Sequence, residues 1–317
     1  MTKVRRKRHQ QHHTSRNVLM VILIIVGLAI VGGAAYAARM YHDVSQTANV
    51  MYKGKGKVTD KRNGSKVDLN KKQPFSILLL GTDTGALGRN YTGRTDSMVL
   101  ATVNPANKKT EMLSIARDSR VNIAGEGKMA KINAAYEDGG ITTTINTVQN
   151  FLNVPVDYYV LMNMKGIEQL VDAVGGVKVN NPFAFDYGGS HFAKGEISLN
   201  GTEALKFSRM RYDDPNNDFG RQLRQQSVIK AVLDKAASVD TIAHYNDFLN
   251  AAKDNMKTNL TLNDILAIRK NYKGAMKFDT KQLKGEGQMI DGQSYQVMEP
   301  TQVKATSNEL RDQLNLK

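Results

Sequence analysis

The stretch FSILLLGTD, residues 75–83, decides the fold class of this chain of 317 residues. Its middle, ILLL at 77–80, is a short continuous apolar run stopped by Gly81. This pattern is typical of a strand that is covered on both faces of a sheet. Ligand sites in open α/β sheets favour the loops beyond the carboxyl ends of such strands. We therefore expect a buried strand followed by a functional loop at Asp83.

Strand-like and helix-like segments alternate on the C-terminal side of this strand. The other predicted strands are 98–103, 111–115, 157–161, 177–179, 276–278 and 294–297. The predicted helices are 142–151, 164–174, 201–210, 222–237, 262–272 and 308–316. This alternation favours an α/β or α+β layered sheet over a helical bundle or a β-sandwich. No linker-like composition interrupts residues 73–317, so we expect a single domain there.

On the N-terminal side, a charge-free run of 21 residues occupies 18–38. A helix of this length, rising about 1.5 Å per residue, would cross a hydrocarbon core of roughly 30 Å. Residues 1–17 are basic, which predicts a cytoplasmic N-terminus and a C-terminal domain outside the cell membrane. A cleaved signal peptide is the alternative, but the run is longer than the usual apolar core of such peptides. We expect a single-pass signal anchor.

Between this anchor and the domain, residues 39–72 are polar and contain glycine–lysine repeats such as KGKGK at 53–57. Such a composition predicts an extracellular stalk with little to bury. The alternative is an amphipathic extension that packs on the domain through Val44, Val50 and Met51.

Composition excludes several classes of function. The chain has no cysteine, which excludes a disulfide scaffold, a cysteine nucleophile, a zinc–thiolate site and an iron–sulfur cluster. The net charge is +14, and half of it comes from seven basic residues in the acid-free segment 1–39. These charges suit a topology determinant beside anionic lipid heads. No aromatic residue interleaves with the charges of the basic arm, so we expect no nucleic-acid partner.

Two aspartates are the first candidates for chemistry. Asp83 follows the strand at 75–80, and Asp96 precedes the strand at 98–103. Carboxylates on adjacent loop ends form a hard-oxygen pair that suits Mg²⁺ or Mn²⁺. A turn or cap role is the alternative for each aspartate alone. The neighbouring glycines match neither a P-loop nor a G-x-G-x-x-G element, so we do not expect a nucleotide fold.

Arginines form the second group of candidates. Arg117 and Arg120 follow the strand at 111–115, where they could grip phosphate oxygens, and Asp118 could orient or neutralise Arg117. A denser block carries arginines, an aspartate and a glutamine at Arg209, Arg211, Asp218, Arg221, Arg224 and Gln225. The last three share one face of a helix that begins near residue 218, where free N–H groups favour an anion. The alternative is a solvated face paired with acids at 213, 214 and 218.

The candidates comprise two carboxylates and six arginines, and there is no Ser–His or Cys–His pair. Such a set of residues is typical of enzymes that transfer a phosphoryl group from a strongly anionic substrate such as a pyrophosphate. The same segments resemble the LytR-CpsA-Psr family. The motifs that carry the resemblance are ILLLGTD at 77–83, RTDSM at 94–98, SIARDSR at 114–120, KINAAY at 131–136 and the block at 209–226, behind a membrane anchor. The resemblance runs from about residue 75 to 237 and weakens towards the C-terminus. Ala116 departs from it, since proline is frequent there.

The resemblance implies a fold and an activity. The fold is an α/β/α sandwich with a central mixed sheet and a hydrophobic groove for a prenyl chain, for which 141–151 and 164–174 are candidates; core packing is the alternative. The activity is an extracytoplasmic phosphotransferase that moves a glycopolymer, such as wall teichoic acid or capsule, from undecaprenyl pyrophosphate onto peptidoglycan in a Gram-positive type envelope.

The resemblance also implies residue roles. Asp83 and Asp96 correspond to Mg²⁺-associated carboxylates. A mechanistic hypothesis is that one of them assists deprotonation of the acceptor; because a metal-bound carboxylate is a poor base, the alternative is an acceptor that needs no strong base. The residues expected at the pyrophosphate are Arg117, Arg120, Lys131, Arg209, Arg211, Asp218, Arg221, Arg224 and Gln225. Two other functions stay open: a module that binds prenyl phosphate or an anionic wall polymer, and a prenyl-pyrophosphate pyrophosphatase. A DNA-binding regulator is not expected, because the basic arm has no recognition helix.

Overall fold

The computed structural model describes residues 37–83, 93–236, 245–275 and 277–316. It contains two compact units, residues 1–46 and residues 47–317. Residues 37–51 are helical and are labelled α1. The expected basic arm and all but the last two residues of the expected anchor at 18–38 lie outside the described residues. Within the described ranges, no helix is both long and apolar enough to cross a membrane.

A six-stranded mixed sheet forms the centre of the second unit. Its strands are β1 (Phe75–Thr82), β2 (Thr95–Asn104), β3 (Lys109–Ile115), β6 (Tyr158–Asn163), β11 (Met256–Thr258) and β12 (Lys277–Leu283). They are ordered β11-β6-β1-β2-β3-β12. β1 runs antiparallel to β2 and parallel to β6, and β3 runs parallel to β12. β2 is also antiparallel to β3, so the carboxyl ends of β1, β3, β6 and β12 meet at one edge.

Four two-stranded ribbons surround this sheet. Their strands are β4 (Arg120–Asn122), β5 (Met129–Lys131), β7 (Val177–Asn181), β8 (Phe185–Tyr187), β9 (Ser190–Phe192), β10 (Gly195–Leu199), β13 (Glu286–Ile290) and β14 (Gln293–Val297). The pairs are β4–β5, β7–β10, β8–β9 and β13–β14, and all four are antiparallel. Most of these short strands have no clear pattern in the sequence, because a three-residue strand is too short to show an alternation.

Helices cover both faces of the sheet. They are α2 (Ala134–Leu152), α3 (Met164–Ala173), α4 (Gly201–Arg209), α5 (Asn217–Ala236), α6 (Tyr245–Asn255), α7 (Leu262–Asn271) and α8 (Pro300–Gln313). Leu78 and Leu100 face α2 and α8, while Val99 and Met112 face Ile229 of α5. Successive strand residues point to opposite faces, so an apolar run such as 77–80 is buried by two helical layers. The expected α/β architecture with a central mixed sheet is thus observed.

The predicted lipid-groove segments contribute to ordinary cores. Ile145 and Val148 of α2 are completely buried in the main core. Val171 of α3 is completely buried in a second core, formed by α3, α4, α5 and the ribbons β7–β10 and β8–β9. This second core contains Phe207 and Met210, which flank Arg209 at the end of α4, and Met210 directly precedes Arg211. The buried side chains of these segments therefore pack in protein cores, which was the alternative to a lipid groove.

The expected stalk at 39–72 requires a correction, because the compact unit begins at Thr47 and not at residue 73. Arg62 binds both oxygens of Asp157 at 2.6 and 2.7 Å, and the amide of Ser76 donates to the same carboxylate at 2.8 Å. Lys55 donates to the carbonyl of Val156 at 2.8 Å, and burial lowers the pKa of its ammonium. Charged residues that looked solvated in the sequence therefore fasten this segment to the sheet.

Candidate functional site

The two candidate aspartates lie at neighbouring strand ends. Thr82 of β1 is paired with Thr95 of β2, whereas the preceding residue Gly81 is paired with Ser97. Asp96 is therefore the extra residue of a β-bulge. Bulges commonly re-aim a side chain beside a functional site. Asp83 directly follows β1 and is half-buried, and the loop after it, residues 84–92, lies outside the described residues.

Arg117 joins β3 to this pair. Its Nη1 donates to Oδ1 of Asp96 at 2.7 Å. The turn that presents it is held by the amide of Ser119, which donates to the Ala116 carbonyl at 2.9 Å, and by the amide of Asn133, which donates to the Arg117 carbonyl at 3.2 Å. Burial lowers the pKa of the guanidinium, but Asp96 and two further carboxylates outweigh burial and raise it. The side chain is a permanent cation in a defined position.

Asp218, in the first turn of α5, gathers three arginines. Its Oδ1 lies 2.7 Å from Nη2 of Arg221, 3.6 Å from Nε of Arg211 and 3.9 Å from Nε of Arg117. Nη2 of Arg221 also lies 3.5 Å from the carbonyl oxygen of Asp96. The structure thus brings together residues from β2, the loop after β3, the loop before α5 and α5 itself, which are 96, 117, 211, 218 and 221 in the sequence.

Positive charge exceeds negative charge around Arg221. This side chain is buried, and its pKa is lowered chiefly by burial and also by Arg117 and Arg211, against the attraction of Asp218. The Nε–H groups of Arg117 and Arg221 are buried without a hydrogen-bond partner among the described residues. A buried guanidinium donor without an acceptor is costly. These two donors are therefore available to an anion that offers several oxygens.

The remaining candidates differ in their contacts and in their burial. Arg209 is exposed and forms no ion pair with any described residue. Lys131 lies 3.5 Å from Oδ1 of Asp118, whose other oxygen is 4.0 Å from Arg117, so Lys131 is linked to the cluster through Asp118. Arg120 is the cross-strand neighbour of Lys131. Gln225 is half-buried, with Nε2 at 3.5 Å from the Ser208 carbonyl oxygen.

Arg224 does not belong to this cluster, contrary to the expectation for it. Its guanidinium forms a buried ion pair with Asp214 and donates to the carbonyls of Phe207 at 3.0 Å and Met210 at 2.5 Å. It also lies over the ring of Phe185, 5.3 Å from the centroid. Every face of Arg224 is occupied by protein. It fastens the loop 210–216 to α5. This role agrees with the alternative interpretation of the arginine block, in which an arginine is paired with the acids at 213, 214 and 218.

Among the described residues, the aspartate pair is the candidate for metal binding. No group of three or more His, Asp or Glu side chains in the described part of the chain is placed to hold a metal ion. Asp83 and Asp96 nevertheless offer hard oxygen donors at adjacent strand ends. Mg²⁺ commonly binds through one or two carboxylates and completes its shell with substrate phosphates and water. The donor set fits such an ion.

Comparisons with known proteins agree with this architecture. A model of the LytR_cpsA_psr family matches residues 38–312. The polyisoprenyl-teichoic acid–peptidoglycan teichoic acid transferase TagU of Enterococcus faecalis is 44% identical over 301 residues, covering 95% of this chain and 97% of the relative. The crystal structure of Bacillus subtilis TagU has a TM-score of 0.64 at 41% identity and covers 78% of this chain and 99% of that one. A solved structure of TagT bound to LIIa-WTA has a TM-score of 0.70 at 30% identity, covering 83% and 98%.

Proposed function

The chain belongs to the LytR_cpsA_psr family, and from this premise we propose that it is a transferase that attaches a teichoic acid or similar glycopolymer to peptidoglycan. The donor is the glycopolymer linked to undecaprenyl pyrophosphate. The relative from Enterococcus faecalis is named as a transferase of this kind. Residues 18–38 anchor the enzyme in the cell membrane, and its domain acts on the outer side.

The observation that carries the proposal is that three arginine guanidinium groups surround the single carboxylate of Asp218. Arg117 and Arg221 present buried Nε–H groups that find no acceptor within the described residues. Arg211, whose Nε lies 3.6 Å from Asp218, is half-exposed, and Arg209 at the end of α4 is exposed. A pyrophosphate supplies several oxygens at the spacing of two phosphates, so it can take donors from buried and exposed arginines together.

The reaction follows from this placement. A peptidoglycan hydroxyl oxygen forms a bond to the phosphorus nearest the glycan, and the bond from that phosphorus to the bridging oxygen breaks. The bridging oxygen leaves with undecaprenyl phosphate, and the hydroxyl proton passes to a carboxylate or to solvent. The arginines hold the charge that builds up on the phosphate oxygens, which is the main catalytic requirement of phosphoryl transfer.

Asp83 and Asp96 would hold Mg²⁺, or Mn²⁺ in its place. When bound, such an ion would neutralise part of the pyrophosphate charge. Asp96 has a second role that does not depend on the ion, because its hydrogen bond at 2.7 Å orients Arg117. A carboxylate that does not bind the ion can take the proton from the attacking peptidoglycan hydroxyl.

A reconstituted reaction tests the proposal. The full chain in detergent receives a synthetic undecaprenyl-pyrophosphate glycan, Mg²⁺ and undecorated peptidoglycan fragments, and mass spectrometry detects the phosphate-linked conjugate and undecaprenyl phosphate. Arg117→Ala and Asp96→Asn are expected to lower conjugate formation by roughly 10²–10³-fold, as loss of a charge-stabilising group usually does. The matched control is Arg269→Ala, because Arg269 is an exposed arginine on α7, which packs near the start of β1.

Each competing function has its own result in this assay. Release of undecaprenyl phosphate without a conjugate would identify a pyrophosphatase. Tight donor binding without release, unchanged by Asp96→Asn, would identify a binding module. Either result contradicts the transferase proposal for these substrates.

A further inference from the structure

We propose that Tyr295 is a positioning residue for the anion site, and that its ring holds Arg120 and Lys131 in place for the donor pyrophosphate. The inference rests on the proposed function and assigns a role to the C-terminal ribbon β13–β14. This ribbon is separate from the central sheet.

The contacts of the ring define this role. The guanidinium carbon of Arg120 lies 5.9 Å from the ring centroid of Tyr295, and Nζ of Lys131 lies 5.7 Å from it. Both distances are within the range in which a cation is attracted to an aromatic face. Arg120 and Lys131 are direct cross-strand partners in β4–β5, so one ring can contact both side chains. Tyr295 itself is 9% exposed.

The backbone fixes the ring relative to the site. The amide of Gln296 donates to the carbonyl of Asp118 at 2.9 Å, and Ser119 and Gln296 form an isolated parallel bridge. The turn that carries Arg117 is therefore attached on one side to β14. The residue next to Tyr295 in the chain thus contacts the residue next to Arg117.

An aromatic ring suits this role for an electrostatic reason. A carboxylate that oriented Arg120 and Lys131 would also cancel their charge and weaken their attraction for a pyrophosphate. The ring attracts cations through its quadrupole and carries no net charge. Arg120 forms no ion pair with any described residue, and Lys131 has only Asp118 at 3.5 Å. Both cations therefore keep charge that an incoming anion can use.

The test compares two substitutions of the ring in the full chain. Tyr295→Leu removes the aromatic face and is expected to raise the KM for the glycan donor roughly tenfold, with kcat changed less than the KM. Tyr295→Phe keeps the face and is expected to remain within about twofold of the wild type, because the one hydrogen bond of the hydroxyl to a described residue is long, 3.4 Å to Oε1 of Gln293. Met289→Ala, an exposed change on the same ribbon, is the control.

A double-mutant cycle separates positioning from a general loss of structure. In the Arg120→Met/Lys131→Met background, Tyr295→Leu is expected to change the KM for the donor by less than about twofold, because both cations that the ring positions are already absent. A tenfold effect that persists in this background would overturn the proposal, and so would a Phe variant as impaired as the Leu variant.

Binding of farnesyl pyrophosphate, followed by calorimetry in the same variants, gives a readout that does not need transfer. A wild-type chain that binds this probe and forms no conjugate would contradict the proposed function alone. The order of affinities, with Phe near the wild type and Leu roughly tenfold weaker, would still decide the role of Tyr295.

Discussion

At the scale of single residues, two arginines three positions apart on α5 have opposite roles. Arg221 shares Asp218 with Arg211 and Arg117 and has a buried Nε–H with no acceptor among the described residues. Arg224 forms an ion pair with Asp214 and donates to the backbone carbonyls of Phe207 and Met210. Both side chains are buried. The number of acceptors within reach, and not burial, therefore distinguishes Arg221 from Arg224.

Replacement of Arg224 should affect stability, whereas replacement of Arg209 should affect binding. Arg224→Met leaves Asp214 buried without its cation, and we expect the free energy of unfolding to fall by about 3–5 kcal/mol. Arg209→Met removes an exposed charge and should change it by less than about 0.5 kcal/mol, while it weakens donor binding. Urea unfolding and donor titration of both variants check this contrast. Equal stabilities would show that the Asp214 pair is not structural.

At the scale of elements, the start of α5 is shaped around one carboxylate. Asp214 accepts a hydrogen bond from the amide of Asn216 at 2.7 Å and pairs with Arg224. Gly220, one turn into the helix, packs directly against it, and a Cβ at Gly220 would overlap the Asp214 carboxylate. This close approach places Asp218 and Arg221 on the side of the helix that faces Asp96.

Gly220→Ala is therefore expected to destabilise the protein, although alanine is the better helix former. Propensity alone would favour alanine by about 1 kcal/mol. Displacement of Asp214 from its buried pair should outweigh this gain and lower the free energy of unfolding by about 2 kcal/mol or more. Denaturant unfolding measures the sign. Gly54→Ala, where a Cβ meets nothing within 4 Å, is the control and should be neutral or slightly stabilising. A stabilising Gly220→Ala would contradict this packing argument.

At the scale of the whole molecule, two tyrosines, Tyr159 in β6 and Tyr272 at the end of α7, tie the segment before β1 to the rest of the second unit. The hydroxyl of Tyr159 donates to the Lys53 carbonyl at 2.8 Å, and that of Tyr272 donates to the Gln73 carbonyl at 2.5 Å. Burial is the main cause that raises the pKa of each phenol to about 12. The unfolded chain has the ordinary tyrosine pKa of about 10. Both phenols are thus more easily ionised when the chain unfolds.

This difference predicts alkaline destabilisation. Because the folded pKa exceeds the unfolded one, the contribution of these phenols is fully present below about pH 10 and is lost as the pH rises towards about 12. Denaturant unfolding at a series of pH values should show this decline in the wild type. The Tyr159→Phe/Tyr272→Phe variant should show a flatter decline, since its lysines titrate as before. Equal slopes would mean that these phenols do not couple folding to pH.

Several features of the fold and site could be predicted from the sequence because they depend on neighbouring residues. The apolar run at 77–80 is a central strand, and the positions of Asp83 and Asp96 at strand ends follow from the strand boundaries. The sequence grouped Arg117 with the arginines of the block at 209–226 as candidates for one anion site, and the structure places Arg117 near Asp218 of that block. The bulge at Asp96 left no signal, because a bulge is defined only by the register of the partner strand.

The sequence by itself determined the alternation of strands and helices, and it predicted a candidate anion site beyond the carboxyl ends of the strands. Tertiary structure alone decided that Arg62 pairs with Asp157, that Arg224 pairs with Asp214 and that Tyr295 faces Arg120 and Lys131. The physical reason is the range of the interactions. Hydrophobic periodicity is set by neighbours along the chain, whereas the partner of a charge is set by segments that can lie 95 residues apart, as Arg62 and Asp157 do.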